Sequence, residues 1–122
     1  MRTLSAIAVA LAATSAFAHH SNSAFDPDKV VVLKGTVTEW RWTNPHVWIV
    51  LSVDDGNGSK TVWEIEGRPP GILARNGWSK STFKQGDVIT VDFSPARDGS
   101  YTGLSTRVTL ADGTVLTQAT PQ

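Results

Sequence analysis

The sequence predicts a small all-β fold with one short helix between its third and fourth strands. Three observations carry this, the first two being that β-branched and aromatic residues alternate with polar ones in five short runs and that Gly, Pro, Asn and Asp punctuate the chain between the runs. The third is the stretch that breaks the rhythm, Pro69-Pro70-Gly71-Ile72-Leu73-Ala74-Arg75-Asn76-Gly77. It opens on proline and closes on glycine, as a helix does.

The first strand is expected over Val30–Trp42, with Gly35 inside it. Val31, Leu33 and Val37 share odd positions while Trp40 and Trp42 are even, a change of parity that a bulge near Gly35 or Thr38 would produce. The second strand spans His46–Asp54 and points Val47, Ile49, Leu51 and Val53 at the core, leaving His46, Trp48, Val50 and Ser52 on the other face. Asp54-Asp55-Gly56-Asn57-Gly58 turns the chain into the third strand, Lys60–Glu66. There Trp63 and Ile65 face inward and Glu64 and Glu66 outward. Gly77 is the expected residue just past the helix. The fourth strand, Val88–Ser94, presents Ile89, Val91 and Phe93. The fifth, Gly103–Leu110, presents Leu104, Thr106, Val108 and Leu110 before Ala111-Asp112-Gly113 turns into Val115-Leu116 and a polar tail.

Five strands with a helix between the third and fourth is the element order of an OB-like Greek-key barrel, and a long, coiled first strand suits it. An open β-sandwich or meander is the alternative that the same strands could build.

Residues 1–18 read as a secretory signal peptide: Met1-Arg2 is basic, Leu4 to Ala13 is apolar, and Ala16-Phe17-Ala18 offers small residues for cleavage. Residues 19–122 then form a single exported domain, periplasmic or secreted. The apolar run is shorter than the ~20 residues of a membrane span, and no second run follows. With 11 basic and 11 acidic residues the chain lacks the surplus that binds phosphate backbones, so nucleic acid is not an expected partner. The absence of Cys removes disulfides, thiolate ligands and Cys nucleophiles, and the single Met is lost with the signal. Any metal must be held by nitrogen and oxygen.

Ala18-His19-His20-Ser21, Leu33-Lys34-Gly35-Thr36-Val37, Trp42-Thr43-Asn44-Pro45-His46, Arg75-Asn76-Gly77-Trp78, Gly86-Asp87 and Pro95-Ala96-Arg97-Asp98-Gly99 follow one another along the chain. In that order they resemble the bacterial exported-protein family catalogued as domain of unknown function 6152. The resemblance covers nearly the whole mature chain. It implies export and a small β-domain and carries no mechanism, so functional expectations rest on the residues themselves.

His19 and His20 would open the mature protein, beside an α-amine with a pKa of ~7.7 to 8.0 that deprotonates readily. Amine and imidazoles together make a nitrogen-rich set that favours Cu²⁺, with Ni²⁺ and Zn²⁺ behind it. His46 would extend the set, at a demanding distance. It lies ~40 Å of extended first strand from Val30, whereas His20 to Val30 spans at most ~35 Å. Glu64 and Glu66, expected as solvated acids, are the nearest carboxylates to complete it. The plainer reading is a polar terminus and a turn histidine.

Thr43-Asn44-Pro45 suits a tight connection, which is the structural role of Asn44. Trp40, Trp42 and Trp48 flank it on faces opposite the aliphatic residues. Together with Arg97 and Asp98 they outline a possible ligand or partner face for a protein, peptide or glycan, or else pack beneath the amino-terminal segment near Phe25. No Ser-His-acid set, phosphate loop or carboxylate pair points to catalysis. The expected function is a non-catalytic binding protein with copper as its ligand, a partner-binding aromatic face as the alternative, and a copper oxidase as the only enzyme the residues allow.

Overall fold

A computed structural model describes residues 24–118. The signal peptide, His19 and His20 lie outside the described residues. Strand β1 (Val31–Arg41) organises the fold by pairing along both edges. Its first half runs antiparallel to β4 (Val88–Pro95), from Val31 opposite Phe93 to Thr36 opposite Val88. Its second half runs antiparallel to β2 (Trp48–Asp54), from Thr36 opposite Ser52 to Arg41 opposite Trp48. A hairpin leads from β2 into β3 (Lys60–Glu66), helix α1 (Pro70–Arg75) follows, and β4 pairs with β5 (Thr102–Thr109). The parallel ladder from Glu64–Thr102 to Glu66–Leu104 joins β3 to β5 and closes the sheet. That closure makes the OB barrel and excludes the open sandwich.

The odd positions of the β2 segment fill the interior: Val47, Ile49 and Leu51 are fully buried, together with Val37, Ile65, Leu73, Val91, Phe93 and Val108. Each such side chain contributes roughly 1.5–3 kcal/mol relative to exposure. The strand bounds shift slightly from expectation. β2 begins at Trp48 and not His46, although Val47 keeps its place in the core.

The change of parity in β1 is a bulge at Thr38, where the register against β2 jumps between Val37 and Glu39. Trp40 then falls opposite Ile49, on the core side. A second bulge, not anticipated, lies in β5 at Thr106, where the register against β4 shifts. The expected inward set of Leu104, Thr106, Val108 and Leu110 is therefore split. Val108 is buried, Thr106 is exposed, and Gly103 and Ser105 take the interior lower down. A short sixth strand, β6 (Val115–Thr117), was also not expected. Three residues are too few to show an alternation, and its order comes from pairing with β5.

Helix α1 ends as its composition requires. Gly77 adopts φ of 85°, its N–H donates to the Ala74 carbonyl at 3.3 Å, and the Trp78 N–H donates to the Leu73 carbonyl at 3.0 Å. This is a Schellman cap, and its two apolar members, Leu73 and Trp78, are both in the core. The Trp78 indole N–H continues to the Thr117 carbonyl at 3.1 Å, tying β6 to the helix end.

The chain ahead of β1 is also fastened down. Phe25 is buried and bridges to Ala96, the Asp26 N–H donates to the Pro95 carbonyl at 2.9 Å, and the Arg97 N–H donates to the Ala24 carbonyl at 2.9 Å.

Candidate functional site on the β2–β3 face

OB barrels take ligands on the outer face of β2 and β3, between the β1–β2 and β4–β5 loops. Because odd residues of β2 point into the core, His46, Trp48 and Val50 point out onto this face. The register places Arg41 and Glu66 on either side of Trp48, and Glu39 and Glu64 on either side of Val50. The result is a polar strip of three carboxylates, one guanidinium and one imidazole around a half-buried tryptophan.

Arg41 clamps the upper part of the strip. Its Nε and Nη2 donate to the two Glu39 carboxylate oxygens at 2.8 and 3.0 Å, and Nη2 also reaches Glu64 Oε1 at 3.0 Å. Hydrogen bonding from Arg41 holds the Glu39 carboxyl below its ordinary pKa, and the two acids raise that of Arg41. These groups are well exposed, so the clamp orients side chains more than it stabilises the fold.

The lower part differs. His46 Nδ1 lies 2.6 Å from Glu66 Oε1, with the Glu66 side chain 8% exposed and His46 31% exposed. Glu66 does point away from the core, as alternation requires, but it is not the solvated acid expected. Its register neighbours are Trp48 on β2 and Leu104 on β5, which enclose it. Burial pushes the Glu66 carboxyl above its ordinary pKa, and the nearby His46 only partly offsets this. With Nδ1 engaged, Nε2 is the ring nitrogen left to meet a ligand.

A raised carboxyl pKa means that ionising Glu66 opposes folding, so its contribution to stability falls as pH rises through its titration. For metal-free protein, the Tm of Glu66→Gln relative to wild type is therefore expected to be more favourable at pH 7 than at pH 4. Thermal melts across that range by circular dichroism measure the difference. A gap that does not change with pH would contradict the assignment.

The other expected site residues go to different places. Trp40 donates its indole N–H to the Ser79 carbonyl at 3.1 Å and packs edge-on against Phe83, with ring centroids 4.9 Å apart. Trp42 lies 5.7 Å from Trp40, and both pack against the core. The expected surface of three tryptophans is not formed. The bulge at Thr38 turns Trp40 onto the Ile49 side, and Trp48 alone stays on the strip. Asn44 is exposed in the β1–β2 loop and joined to Pro45 by a cis peptide bond, while Thr43 Oγ1 donates to the His46 carbonyl at 3.2 Å.

Arg97 and Asp98 turn to separate partners. Arg97 sits 3.9 Å from Asp26, and Asp98 Oδ1 accepts from the Ser100 N–H at 2.9 Å and from its hydroxyl at 2.6 Å. The Ser100 hydrogen bonds lower the Asp98 pKa. Among the described residues no three His, Cys, Asp or Glu side chains converge as a metal site, and no helix is long and apolar enough to cross a membrane. Residue spacing could not reveal the Glu39–Arg41–Glu64 clamp, which depends on the pairing of three strands.

No curated protein matches the sequence. Among solved structures, the barrel is similar to the yeast (S. cerevisiae) mitochondrial single-stranded DNA binding protein Rim1. The two share 12% identity with a TM-score of 0.53, over 68% of this chain and 94% of that one. At that identity the likeness is one of fold. Residues 7–106 match the family described as "Family of unknown function (DUF6152)", and the chain belongs to that family.

Proposed function

We propose that this protein is an exported, non-catalytic copper-binding module whose primary ligands are the α-amine and imidazoles of a mature terminus beginning His19-His20. The observation that supports this reading is the fastening of the preceding segment. Ala24, Phe25 and Asp26 are held by backbone hydrogen bonds and a β-bridge to residues 95–97 of the barrel, beside the loop that borders the β2–β3 face. A terminus tethered four residues from such an anchor loses less entropy on chelating a metal than a free arm does. The acidic balance of the strip, with Glu39, Glu64 and Glu66 against Arg41 and His46, favours a cation over a polyphosphate.

Titration of the signal-processed protein with Cu²⁺, in competition with a chelator of known affinity, tests the reading. One Cu²⁺ is expected to bind with submicromolar affinity. The His19→Ala/His20→Ala variant is expected to lose more than about 100-fold, since removing even an outer-shell partner costs ~10–100-fold. Its circular dichroism should be unchanged. Equal affinity in the variant would overturn the reading.

A second reading is supported by Trp48, a half-buried ring set between Arg41 and Glu66 on the face where OB barrels bind. This arrangement suits a protein, peptide or glycan partner without metal. It requires the Trp48 fluorescence to change on binding and Trp48→Ala to abolish it.

A further inference from the structure

We propose that the open edge of β1 pairs with the same edge of a second copy of this chain, antiparallel about a two-fold axis at Val32. Two barrels then share one continuous sheet.

The edge follows from the way the backbone points. Successive residues of a strand direct their N–H and C=O groups to opposite edges. The Val37 N–H donates to the Asp87 carbonyl at 2.7 Å, on the β4 side, so the odd residues of β1 bond toward β4 and the even ones toward β2. The β2 ladder ends at Thr36, opposite Ser52. Lys34, Val32 and Val30 therefore turn their backbone groups to an edge that no strand takes among the described residues. Beside it runs Val30-Val31-Val32-Leu33, with Val30 65% and Val32 57% exposed and charges only at the ends, Lys29 and Lys34. Exposed edges are ordinarily blunted by a charge within them, a proline, a bulge or short length. The opening of β3 carries Lys60, and β6 has only three residues. The bulge of β1 lies at Thr38, beyond the open stretch. This edge has none of these protections, and a covering strand supplies what it lacks.

Self-complementarity makes the occupant a second copy. The open donors and acceptors belong to Val30, Val32 and Lys34, and a two-fold axis at Val32 engages all of them. Val32 then stands opposite the partner's Val32 and Val30 opposite the partner's Lys34, each pair exchanging both bonds, for about six in all. The same register keeps the inward residues Val31 and Leu33 on one face across the join, as a continuous sheet requires. A shift of one residue would set Lys29 against Lys34 and turn the backbone groups away from each other. With 11 basic and 11 acidic residues, two copies carry no net repulsion. Such a short ladder makes a small interface, below the ~1,200 Å² of tight complexes, so the dimer is expected to have a Kd on the order of 10–100 μM.

Sedimentation velocity of the signal-processed protein is expected to show monomer passing to dimer between about 5 and 500 μM. Val32→Lys opposes two charges at the two-fold axis and should weaken the dimer about 10-fold or more. Its Tm in dilute solution should match wild type, because the Val32 side chain is exposed in the single barrel. The chain has no Cys, so a single introduced cysteine reports the register. Val32→Cys places two sulfur-bearing residues ~5.5 Å apart between Cα atoms, within disulfide range, and is expected to oxidise to a covalent dimer. Val30→Cys lies four residues along the ladder from its copy, ~14 Å, and is expected to stay uncrosslinked. A wild type that remains monomeric at about 500 μM would overturn the inference. So would an unchanged Kd in Val32→Lys, or equal crosslinking of the two cysteine variants. Slow exchange of the Val32 amide in a wild-type monomer would instead place another segment of the same chain on the edge. The cysteine pair decides the register even if Val32→Lys disturbs folding.

Discussion

Gly103→Ala is expected to destabilise the barrel by about 3 kcal/mol, the upper end for one methyl group forced into a packed core. A Cβ at this position would come within 2.0 Å of the Phe93 ring carbon Cδ2, and Phe93 is fully buried. The ring is also held from the side by Trp63, with centroids 5.3 Å apart, so it has little room to yield. Gly103 is paired with Ile65 in the parallel ladder and with Pro95 across β4. The added methyl group therefore pushes on the seam that closes the sheet. For a domain of this size the Tm is expected to fall on the order of 15 °C, measured by circular dichroism. The interaction is specific, so Phe93→Leu in the same chain should recover about 1 kcal/mol or more of the loss in a double-mutant cycle. Simple additivity would show that the methyl group finds space elsewhere.

Trp78→Ala is expected to cost about 3–5 kcal/mol, as large aromatic deletions from cores do. Trp78 performs three tasks at once. It supplies the apolar member of the helix cap with Leu73, it packs 5.7 Å from Phe83 and 6.1 Å from Trp40, and its indole N–H holds the Thr117 carbonyl. Trp78→Phe separates these roles. It keeps most of the ring and loses the hydrogen bond, for an expected cost of about 1 kcal/mol from the bond itself. Denaturant unfolding of both variants measures the pair, and amide exchange in residues 115–117 should rise in Trp78→Phe if the indole anchors β6. An equal cost for the two would place the whole effect in the hydrogen bond.

The copper titration bears on function as these two bear on the fold. The β2–β3 face was only partly legible in the sequence. His46 and Trp48 could be placed on the outer side of their strand because Val47, Ile49 and Leu51 mark the inner one. Trp40 and Trp42 could not be placed. Their parity read as outward, and a single extra residue at Thr38 reverses it, because a bulge changes the side of every residue that follows. The same effect at Thr106 misassigned half of β5.

Local backbone geometry makes successive strand residues alternate, and turn residues set where strands stop. The sequence alone therefore determined the order of the first five strands and the helix, the cap at Gly77 and most of the core, whereas the β3–β5 ladder decided that the strands close into a barrel. Tertiary structure decided what lies beside an outward residue. Glu66 faces out, yet Leu104 from a strand nearly forty residues later stands next to it and turns a surface acid into a buried one. Counted along the chain Glu66 and Leu104 are far apart, but the closed sheet sets them one strand spacing of ~4.8 Å apart.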